Sequence, residues 1–192
     1  MGDEKNGKLM IISGPSGVGK STICKRLVDE YENVSLSVSL TTRPKSESEV
    51  NGQDYYFVTR EEFEKKINAG ELLEYAEVFG NFYGTPKDKV EQDLSQGKTV
   101  ILEIDVQGAR KVKTRHPEVL MVFILPPTQK ELAARMNDRG RDDEQTSRIR
   151  LSQADDEIAS AWRYYNNMVI NEDLDLAVGE VANIAGLSKK EN

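Results

Sequence analysis

Residues 14–21 read Gly-Pro-Ser-Gly-Val-Gly-Lys-Ser, and this octapeptide constrains the fold more than any other part of the sequence. It matches the pattern G-x-x-x-x-G-K-[ST] at every specified position, and loops of this kind wrap backbone N–H groups around phosphates. An apolar run at residues 9–12 precedes the loop, and Ile23, Leu27 and Tyr31 follow it at helical spacing. A strand, a phosphate-binding loop and a helix in this order predict an α/β fold.

The chemistry of this loop predicts a nucleoside triphosphate as its ligand. Glycine tolerates backbone conformations that turn amide groups toward one point, and a helix beginning near Gly19 adds its positive dipole end. We expect Lys20 to act in catalysis by placing its charge against the β- and γ-phosphates, and the Ser21 hydroxyl to bind Mg²⁺. The predicted nucleotide contacts of the loop are Gly14, Pro15, Ser16, Gly17, Val18, Gly19, Lys20, Ser21 and Thr22.

Three further apolar runs, at residues 100–104, 119–125 and 168–170, are separated by segments with helical spacing. Continuous apolar strands are typical of parallel sheets that are covered by helices on both faces. We therefore predict a three-layer α/β core with a mostly parallel sheet, built around the phosphate-binding loop.

Residues 34–40 alternate between apolar residues and serine, which predicts one half-buried strand with Ser35, Ser37 and Ser39 on its wetter face. A second short strand is predicted at residues 55–58. Helices are predicted to start after three threonines: two are followed three residues later by glutamate and one is followed directly by proline. These threonines are Thr59, Thr128 and, before the proline, Thr85.

These elements predict one domain over residues 1–192, with a core of residues 8–38 and 99–187. Between the two core segments, residues 39–98 are expected to form a small α+β insertion. Within the second core segment, the charge-rich residues 137–150 are expected to form a solvated lid.

Composition narrows the class of protein further. The chain has 192 residues, one cysteine and a formal net charge of −7, and its longest apolar run is far shorter than the roughly 20 residues of a membrane helix. A single Cys24 forms no internal disulfide, which favours a cytoplasmic protein. The acidic charge disfavours nucleic acids and membrane surfaces as partners, and the sequence does not distinguish a monomer from a homo-oligomer.

Two groups of charged residues stand out beyond the loop. Glu103 and Asp105 end the second apolar run, where a parallel strand delivers side chains to a ligand crevice. Five arginines lie within a short acidic stretch, so they either bind the triphosphate or form a solvated, salt-bridged surface. These arginines are Arg135, Arg139, Arg141, Arg148 and Arg150.

Five further motifs follow one another along the chain: Ser37-Val-Ser-Leu-Thr-Thr-Arg43, Glu49-Val-Asn-Gly-Gln-Asp-Tyr55, Gly80-Asn-Phe-Tyr-Gly-Thr85, Ile104-Asp-Val-Gln-Gly108 and Val169-Ile-Asn171. In this order they resemble those of guanylate kinases, the enzymes that transfer the γ-phosphoryl group of ATP to GMP. The resemblance covers residues 8–187. It implies an ATP-dependent GMP kinase that works with Mg²⁺, and it makes residues 39–98 the GMP-binding insertion.

The resemblance also implies roles for individual residues of the acceptor site. Arg43 would clamp the GMP phosphate through its planar fork, with the hydroxyl groups of Tyr55 and Tyr83 as further donors. Glu74 would accept from guanine N1–H and the exocyclic amine, a pair of donors that adenine lacks. The remaining acceptor contacts implied are Ser39, Glu49, Thr85 and Asp105.

On the donor side, the resemblance implies that Asn171 contacts adenine and that Asp105 lies near the acceptor and the metal-bound water. It favours Arg135, Arg139 and Arg150 as catalytic cations that close on the triphosphate and the migrating phosphoryl group. Closure would also exclude water from the reaction.

The sequence departs from the family pattern at Ser46, where a second phosphate-binding arginine is usual, and more mildly at Glu103, where aspartate is common. Two alternatives therefore stay open. One is a kinase of the same fold that acts on another phosphorylated acceptor, such as a ribose bisphosphate. The other is a non-catalytic binding module, against which the intact Gly19, Lys20 and Ser21 argue.

Overall fold

The computed structural model describes residues 7–137 and 144–191 of the chain, without the side chains of residues 137 and 144–150. Its strands are β1 (Lys8–Ser13), β2 (Val34–Leu36), β3 (Leu40–Thr41), β4 (Tyr56–Phe57), β5 (Leu72–Val78), β6 (Asn81–Pro86), β7 (Thr99–Glu103), β8 (Leu120–Leu125) and β9 (Asn167–Ile170). Its helices are α1 (Lys20–Glu30), α2 (Arg60–Asn68), α3 (Lys87–Ser95), α4 (Val106–Arg115), α5 (Gln129–Asn137), α6 (Glu144–Tyr164) and α7 (Leu174–Ala185). Within this part of the chain, no helix combines the length and the apolar character needed to cross a membrane.

The core is a parallel sheet of five strands in the order β2-β7-β1-β8-β9. Side chains of the central strand β1 alternate between two apolar clusters. Met10 and Ile12 share one cluster with α1 and α7, and Leu9 and Ile11 share the other with α3 and α4. Because helices cover both faces, the interior of β1, residues 9–12, has no solvated side and is apolar throughout. The predicted three-layer α/β core is confirmed.

A second sheet of four strands, in the order β4-β3-β6-β5, is formed by residues between β2 and β7. The pair β5–β6 is antiparallel, and β3 pairs antiparallel with β6 and parallel with β4. Leu40, Phe63 and Leu72 form its own small apolar cluster, with Phe63 supplied by α2. The α+β character predicted for this stretch is therefore present.

The prediction of one strand at residues 34–40 is wrong. β2 pairs with β7 in the core sheet, whereas β3 pairs with β4 and β6 in the second sheet. The segment thus crosses from one sheet to the other, so its faces are not those of a single half-buried strand. The predicted wet face is wrong as well, because Ser37 is buried between the two sheets.

Two of the three predicted helix starts are confirmed. Thr59 forms a reciprocal capping box with Glu62, and the Glu131 backbone N–H donates to the Thr128 hydroxyl at 3.1 Å. The prediction for Thr85 is wrong, because it lies inside β6 and α3 begins only at Lys87. The Thr85 hydroxyl does not cap a helix but donates to the Glu74 side chain on the neighbouring strand β5.

Candidate active site

The phosphate loop joins the carboxyl end of β1 to the start of α1, as predicted. Gly17 and Gly19 have φ angles of 84° and 102°, in the left-handed region that L side chains rarely adopt. Gly19 is also the N-cap of α1, so the loop ends directly on the helix N-terminus. Exposed backbone N–H groups and the helix dipole therefore converge at a position suited to an anion.

The Lys20 side chain is folded back over this loop. Its Nζ donates to the carbonyl oxygens of Gly14 at 2.6 Å and Pro15 at 3.0 Å. Next to it, the Ser21 hydroxyl donates to Glu103 Oε1 at 2.7 Å. One ammonium group, one hydroxyl group and one carboxylate therefore lie at the phosphate loop, with the carboxylate supplied by β7.

Two predicted site residues support the loop from behind. The buried Asn171 amide donates through Nδ2 to the Val18 carbonyl at 2.8 Å, and a Cβ on Gly19 would collide with that same amide. Both terminal guanidinium nitrogens of Arg135 donate to the Asn171 carbonyl at 3.1 Å. The contacts of these two residues connect α5 and the end of β9 to the phosphate loop.

Arg43 and Glu49 form a bidentate ion pair in the loop after β3. Arg43 donates to the two Glu49 carboxylate oxygens at 2.6 Å and 3.0 Å, and the Ser46 N–H and hydroxyl donate to Glu49 at 2.9 Å and 2.5 Å. The hydrogen bonds from Arg43, together with those from Ser46, lower the pKa of Glu49 to about 2 against the effect of burial. The Glu49 carboxylate thus neutralises the guanidinium that was predicted to bind the acceptor phosphate.

Aromatic side chains surround this ion pair. The Arg43 guanidinium lies 5.5 Å from the ring centre of Tyr55, and the rings of Tyr55 and Tyr83 meet edge to face at 5.9 Å. Burial raises the pKa of the Tyr55 hydroxyl, and the charge of Glu103 raises it further. Glu103 ends β7 of the core sheet, so Tyr55, the residue before β4, lies within electrostatic range of the core sheet.

Glu74 is the centre of a third cluster. It lies on β5, is 5% exposed, and its Oε1 accepts the Thr85 hydroxyl hydrogen bond at 2.7 Å. Burial, with a smaller contribution from the charge of Asp105, raises the pKa of Glu74 to about 7. A carboxylate has about four lone-pair positions, so Glu74 can accept further hydrogen bonds from a ligand beside that of Thr85.

The N-terminus of α4 closes this cluster. Asp105 is its N-cap and accepts the Gly108 N–H at 2.8 Å, while burial raises the pKa of Asp105. A Cβ on Gly108 would lie 2.5 Å from Glu74 Oε2, so a larger residue here would displace the carboxylate from its present position. Glu74, Thr85 and Asp105 are therefore brought together from three separate elements.

An additional residue near the site, Glu157 on α6, was not predicted. Burial raises its pKa to about 7, with the charge of Lys20 lowering it and that of Asp105 raising it. Glu157 therefore lies close enough to both predicted subsites to interact with them. No local motif marks it, because it is one of several acidic residues on a long amphipathic helix. Glu103 is a second case: the sequence assigned it no role, whereas in the structure its carboxylate accepts a hydrogen bond from Ser21.

The remaining predicted residues are less informative. Ser39 is half-buried where the chain passes between the two sheets, and Ser16 and Thr22 are exposed beside the loop. Arg139 lies outside the described residues. Arg150 lies on α6, but its side chain is outside the description, so the prediction of a lid at residues 137–150 stays a prediction.

Comparison with known proteins gives a consistent result. Residues 6–186 match the family model described as guanylate kinase. The guanylate kinase of Thermosynechococcus vestitus is 49% identical over 169 residues, which cover 88% of each chain. That of Clostridium acetobutylicum is 48% identical over 180 residues, covering 94% of this chain and 85% of the relative. A crystal structure of guanylate kinase from Anaplasma phagocytophilum has a TM-score of 0.77 and 38% identity, covering 93% of this chain and 84% of that one.

Proposed function

This chain belongs to the guanylate kinase family and phosphorylates GMP with ATP, and from this premise we propose which of its residues bind each nucleotide. The proposed donor site is the phosphate loop, whose residues 14–22 surround the ATP phosphates through backbone N–H groups. Lys20 exchanges its two carbonyl contacts for oxygens of the β- and γ-phosphates. Asn171 contacts adenine, while the hydrogen bond from its amide to the Val18 carbonyl stabilises the loop.

Mg²⁺ is the metal that fits this donor site. Ser21 and Glu103 present a hydroxyl and a carboxylate oxygen 2.7 Å apart, and hard oxygen ligands of this type suit Mg²⁺, which takes its other ligands from water and phosphate. We assign Ser21 and Glu103 to the ion on this basis. When bound, it neutralises charge on the β- and γ-phosphates.

The proposed acceptor-phosphate site is the cluster around Arg43. The guanidinium is a planar fork that matches a phosphate as well as a carboxylate. The phosphate of GMP binds to Arg43, whose two terminal nitrogens Glu49 engages in its absence, and to the hydroxyl groups of Tyr55 and Tyr83. Ser39 is proposed as a contact to the base. The ring arrangement of the two tyrosines supports this assignment.

The observation that carries the choice of GMP is the buried carboxylate of Glu74. The Thr85 hydroxyl occupies one lone pair of the carboxylate, and guanine N1–H and the exocyclic amine supply the donor pair that a carboxylate requires. Asp105 lies next to it at the helix N-cap and completes the base site. Adenine presents no such pair and would leave the Glu74 carboxylate without a donor from the base.

Phosphoryl transfer follows from this arrangement. An oxygen of the GMP phosphate, already anionic, forms a bond to the γ-phosphorus of ATP, and the bond from that phosphorus to the β-phosphate oxygen breaks, releasing ADP. No strong general base is required, so the protein contributes in-line positioning and positive charge. Lys20 and Arg43 supply charge from the two subsites, and Arg135, Arg139 and Arg150 are proposed to close on the migrating group.

Closure of residues 39–98 and 137–150 is proposed to exclude water, which would otherwise accept the phosphoryl group. None of the proposed acceptor contacts addresses the ribose 2′ position, so dGMP is proposed as a second acceptor. With a single buried Cys24, the protein is proposed to act in the cytoplasm.

An acceptor panel tests the proposal directly. ADP formation from ATP and Mg²⁺ is measured with GMP, dGMP, AMP, IMP and a ribose bisphosphate. We expect kcat/KM to be highest for GMP and dGMP. A preference for the ribose bisphosphate would establish the alternative kinase, and phosphopeptide binding without ADP formation would establish the non-catalytic module.

A further inference from the structure

One face of α4 contacts the strand that carries Glu74. Three residues spaced three and four apart form this face, so they lie in one row along the helix. They are Gly108, Lys111 and Arg115. Gly108 leaves room for the Glu74 carboxylate, while Lys111 and Arg115 make polar contacts to the backbone of β5 on either side of Glu74.

The two contacts are direct hydrogen bonds. Lys111 Nζ donates to the Tyr75 carbonyl at 2.5 Å and lies 4.7 Å from the centre of the Tyr75 ring. Arg115 donates to the Leu73 carbonyl at 2.9 Å. Leu73 and Tyr75 are the residues before and after Glu74, so cationic donors hold both neighbours of the proposed base-reading carboxylate.

The strand is irregular at this point, which makes external support important. The register of β5 against β6 shifts between Leu72 and Glu74, so Leu73 is the extra residue of a β-bulge. Bulges interrupt the ladder and redirect the side chain that follows. β5 is also the edge of its sheet, and its Leu73 and Tyr75 carbonyls point away from β6 toward α4.

A groove of about 520 Å³ runs beside these contacts, lined by Lys111, Arg115 and residues of β5. Part of the strand edge is therefore open rather than packed against α4. The two long cationic side chains reach along this groove and connect the helix to the strand.

We propose that Lys111 and Arg115 are positioning residues for guanine selection: they fix the bulge of β5 to α4, and so fix Glu74 relative to Asp105. Asp105 is the N-cap of the same helix, so α4 sets the spacing between the two carboxylates. This inference rests on the proposed function of Glu74 as the residue that reads guanine.

Single variants test it. Lys111→Met and Arg115→Met remove one donor each while keeping a long side chain, and both residues are exposed, so the fold is retained. Each variant is expected to raise the GMP KM about tenfold, the value of one hydrogen bond to a charged group. The ratio of kcat/KM for GMP to that for IMP falls by a similar factor, because Glu74 no longer meets the exocyclic amine correctly. The KM for ATP stays within about twofold.

Lys113→Met is the matched control. Lys113 lies on the same helix and also donates to backbone carbonyls, those of Pro117 at 2.6 Å and Val119 at 3.2 Å, but not to β5. Lys113→Met is expected to leave the ratio of kcat/KM for GMP to that for IMP unchanged. Lys111→Arg keeps a cationic donor and is therefore expected to show the wild-type ratio that Lys111→Met loses. An equal loss of selectivity in Lys113→Met would overturn the proposal, because it would reflect a general effect on α4.

Glu74→Gln distinguishes a failure of base reading by Glu74 from a failure of the positioning role of Lys111 and Arg115. If this variant leaves the GMP-to-IMP ratio unchanged, the proposed base reading itself is wrong. If it lowers the ratio while Lys111→Met and Arg115→Met do not, base reading stands and the positioning role is wrong. Thermal unfolding of each variant is measured alongside, to verify that the kinetic changes occur in folded protein.

Discussion

The phosphate loop and the base site are built in opposite ways. The loop is one continuous segment whose backbone provides the ligand contacts, and its shape depends on glycines at positive φ. The base site consists of side chains from β5, β6 and the start of α4, which meet only through strand pairing and the packing of α4 beside β5. Local sequence therefore determines the first site, whereas tertiary packing determines the second. Damage to the loop is expected to reduce the rate, and damage to the base site is expected to reduce selectivity.

Lys20→Ala tests the first half of that comparison and has the largest expected effect. Loss of one charge that stabilises the transition state lowers kcat by a factor of about 10² to 10³. Steady-state kinetics with saturating ATP and GMP measures it, and acceptor selectivity is expected to stay unchanged. Lys113→Ala is the control, since Lys113 also donates to two backbone carbonyls. Wild-type turnover in Lys20→Ala would refute the assignment of the loop.

Glu74→Gln tests the second half. An amide offers one acceptor oxygen where the carboxylate offers two, so kcat/KM for GMP falls. The fall corresponds to a loss of about 2–4 kcal/mol of transition-state stabilisation. AMP and IMP are expected to lose much less. An equal loss for all three monophosphates would mean that Glu74 supports the fold rather than reads the base.

The same variant reveals the titration of Glu74. Its pKa is raised to about 7 from 4.5, so the carboxylate form appears as pH rises. The wild-type to variant ratio of kcat/KM for GMP therefore grows about tenfold from about pH 6 to about pH 8, and the titration of GMP cancels in the ratio. Because the folded protein holds this proton more tightly than the unfolded chain, the contribution of Glu74 to stability is complete below 4.5 and is lost as pH rises through about 7.

Gly108→Ala sharpens the comparison, because it changes a glycine whose backbone is helical. Alanine is favourable for a helix, so the cost comes from the Cβ that would lie 2.5 Å from Glu74 Oε2. We expect the GMP KM to rise about tenfold, as for loss of one hydrogen bond to a charged group, with ATP KM unchanged. Gly179→Ala is the control, since no atom of the described residues outside its own helix lies within 4 Å of the added Cβ. A wild-type GMP KM would show that Glu74 moves aside freely.

The smallest expected effects concern Lys45 and Ser46 in the acceptor-phosphate loop. Lys45 Nζ donates to the Glu49 carbonyl at 2.8 Å, so its charge lies in the loop that holds Arg43. Lys45→Ala is expected to raise the GMP KM about threefold, which corresponds to the small free energy that an exposed ion pair contributes. Ser46→Arg is expected to change the GMP KM little. A large gain in affinity from Ser46→Arg, measured at fixed ionic strength, would instead show that the acceptor phosphate lacks a cation in the wild type.

The difference between the two sites also explains what the sequence could predict. The loop and the strands β1, β7, β8 and β9 followed from short-range patterns, because continuous apolar runs and a glycine motif act locally. Ser37 and Thr85 were misassigned because their environment depends on which sheet the neighbouring residues join.

The roles of Gly108, Lys111 and Glu157 had no local signal either. Each depends on a contact between a helix and a strand or loop that is distant in the chain. The site residues of the second sheet could be predicted from family resemblance, whereas their mutual arrangement required the structure. The β-bulge at Leu73 is an example, since it exists only in the way β5 pairs with β6.

The neighbouring positions of β2 and β7 have a consequence for chain entropy. They pair directly in the core sheet, yet residues 37–98 lie between them, so forming this pair closes a long loop. Closing a flexible loop of that length costs about 3–4 kcal/mol beyond the length-independent part. The second sheet has its own apolar cluster of Leu40, Phe63 and Leu72. Once the second sheet is folded, the two ends of this loop are closer together than in the unfolded chain. The cluster therefore lowers the entropic cost of completing the core sheet, in addition to supporting the acceptor site.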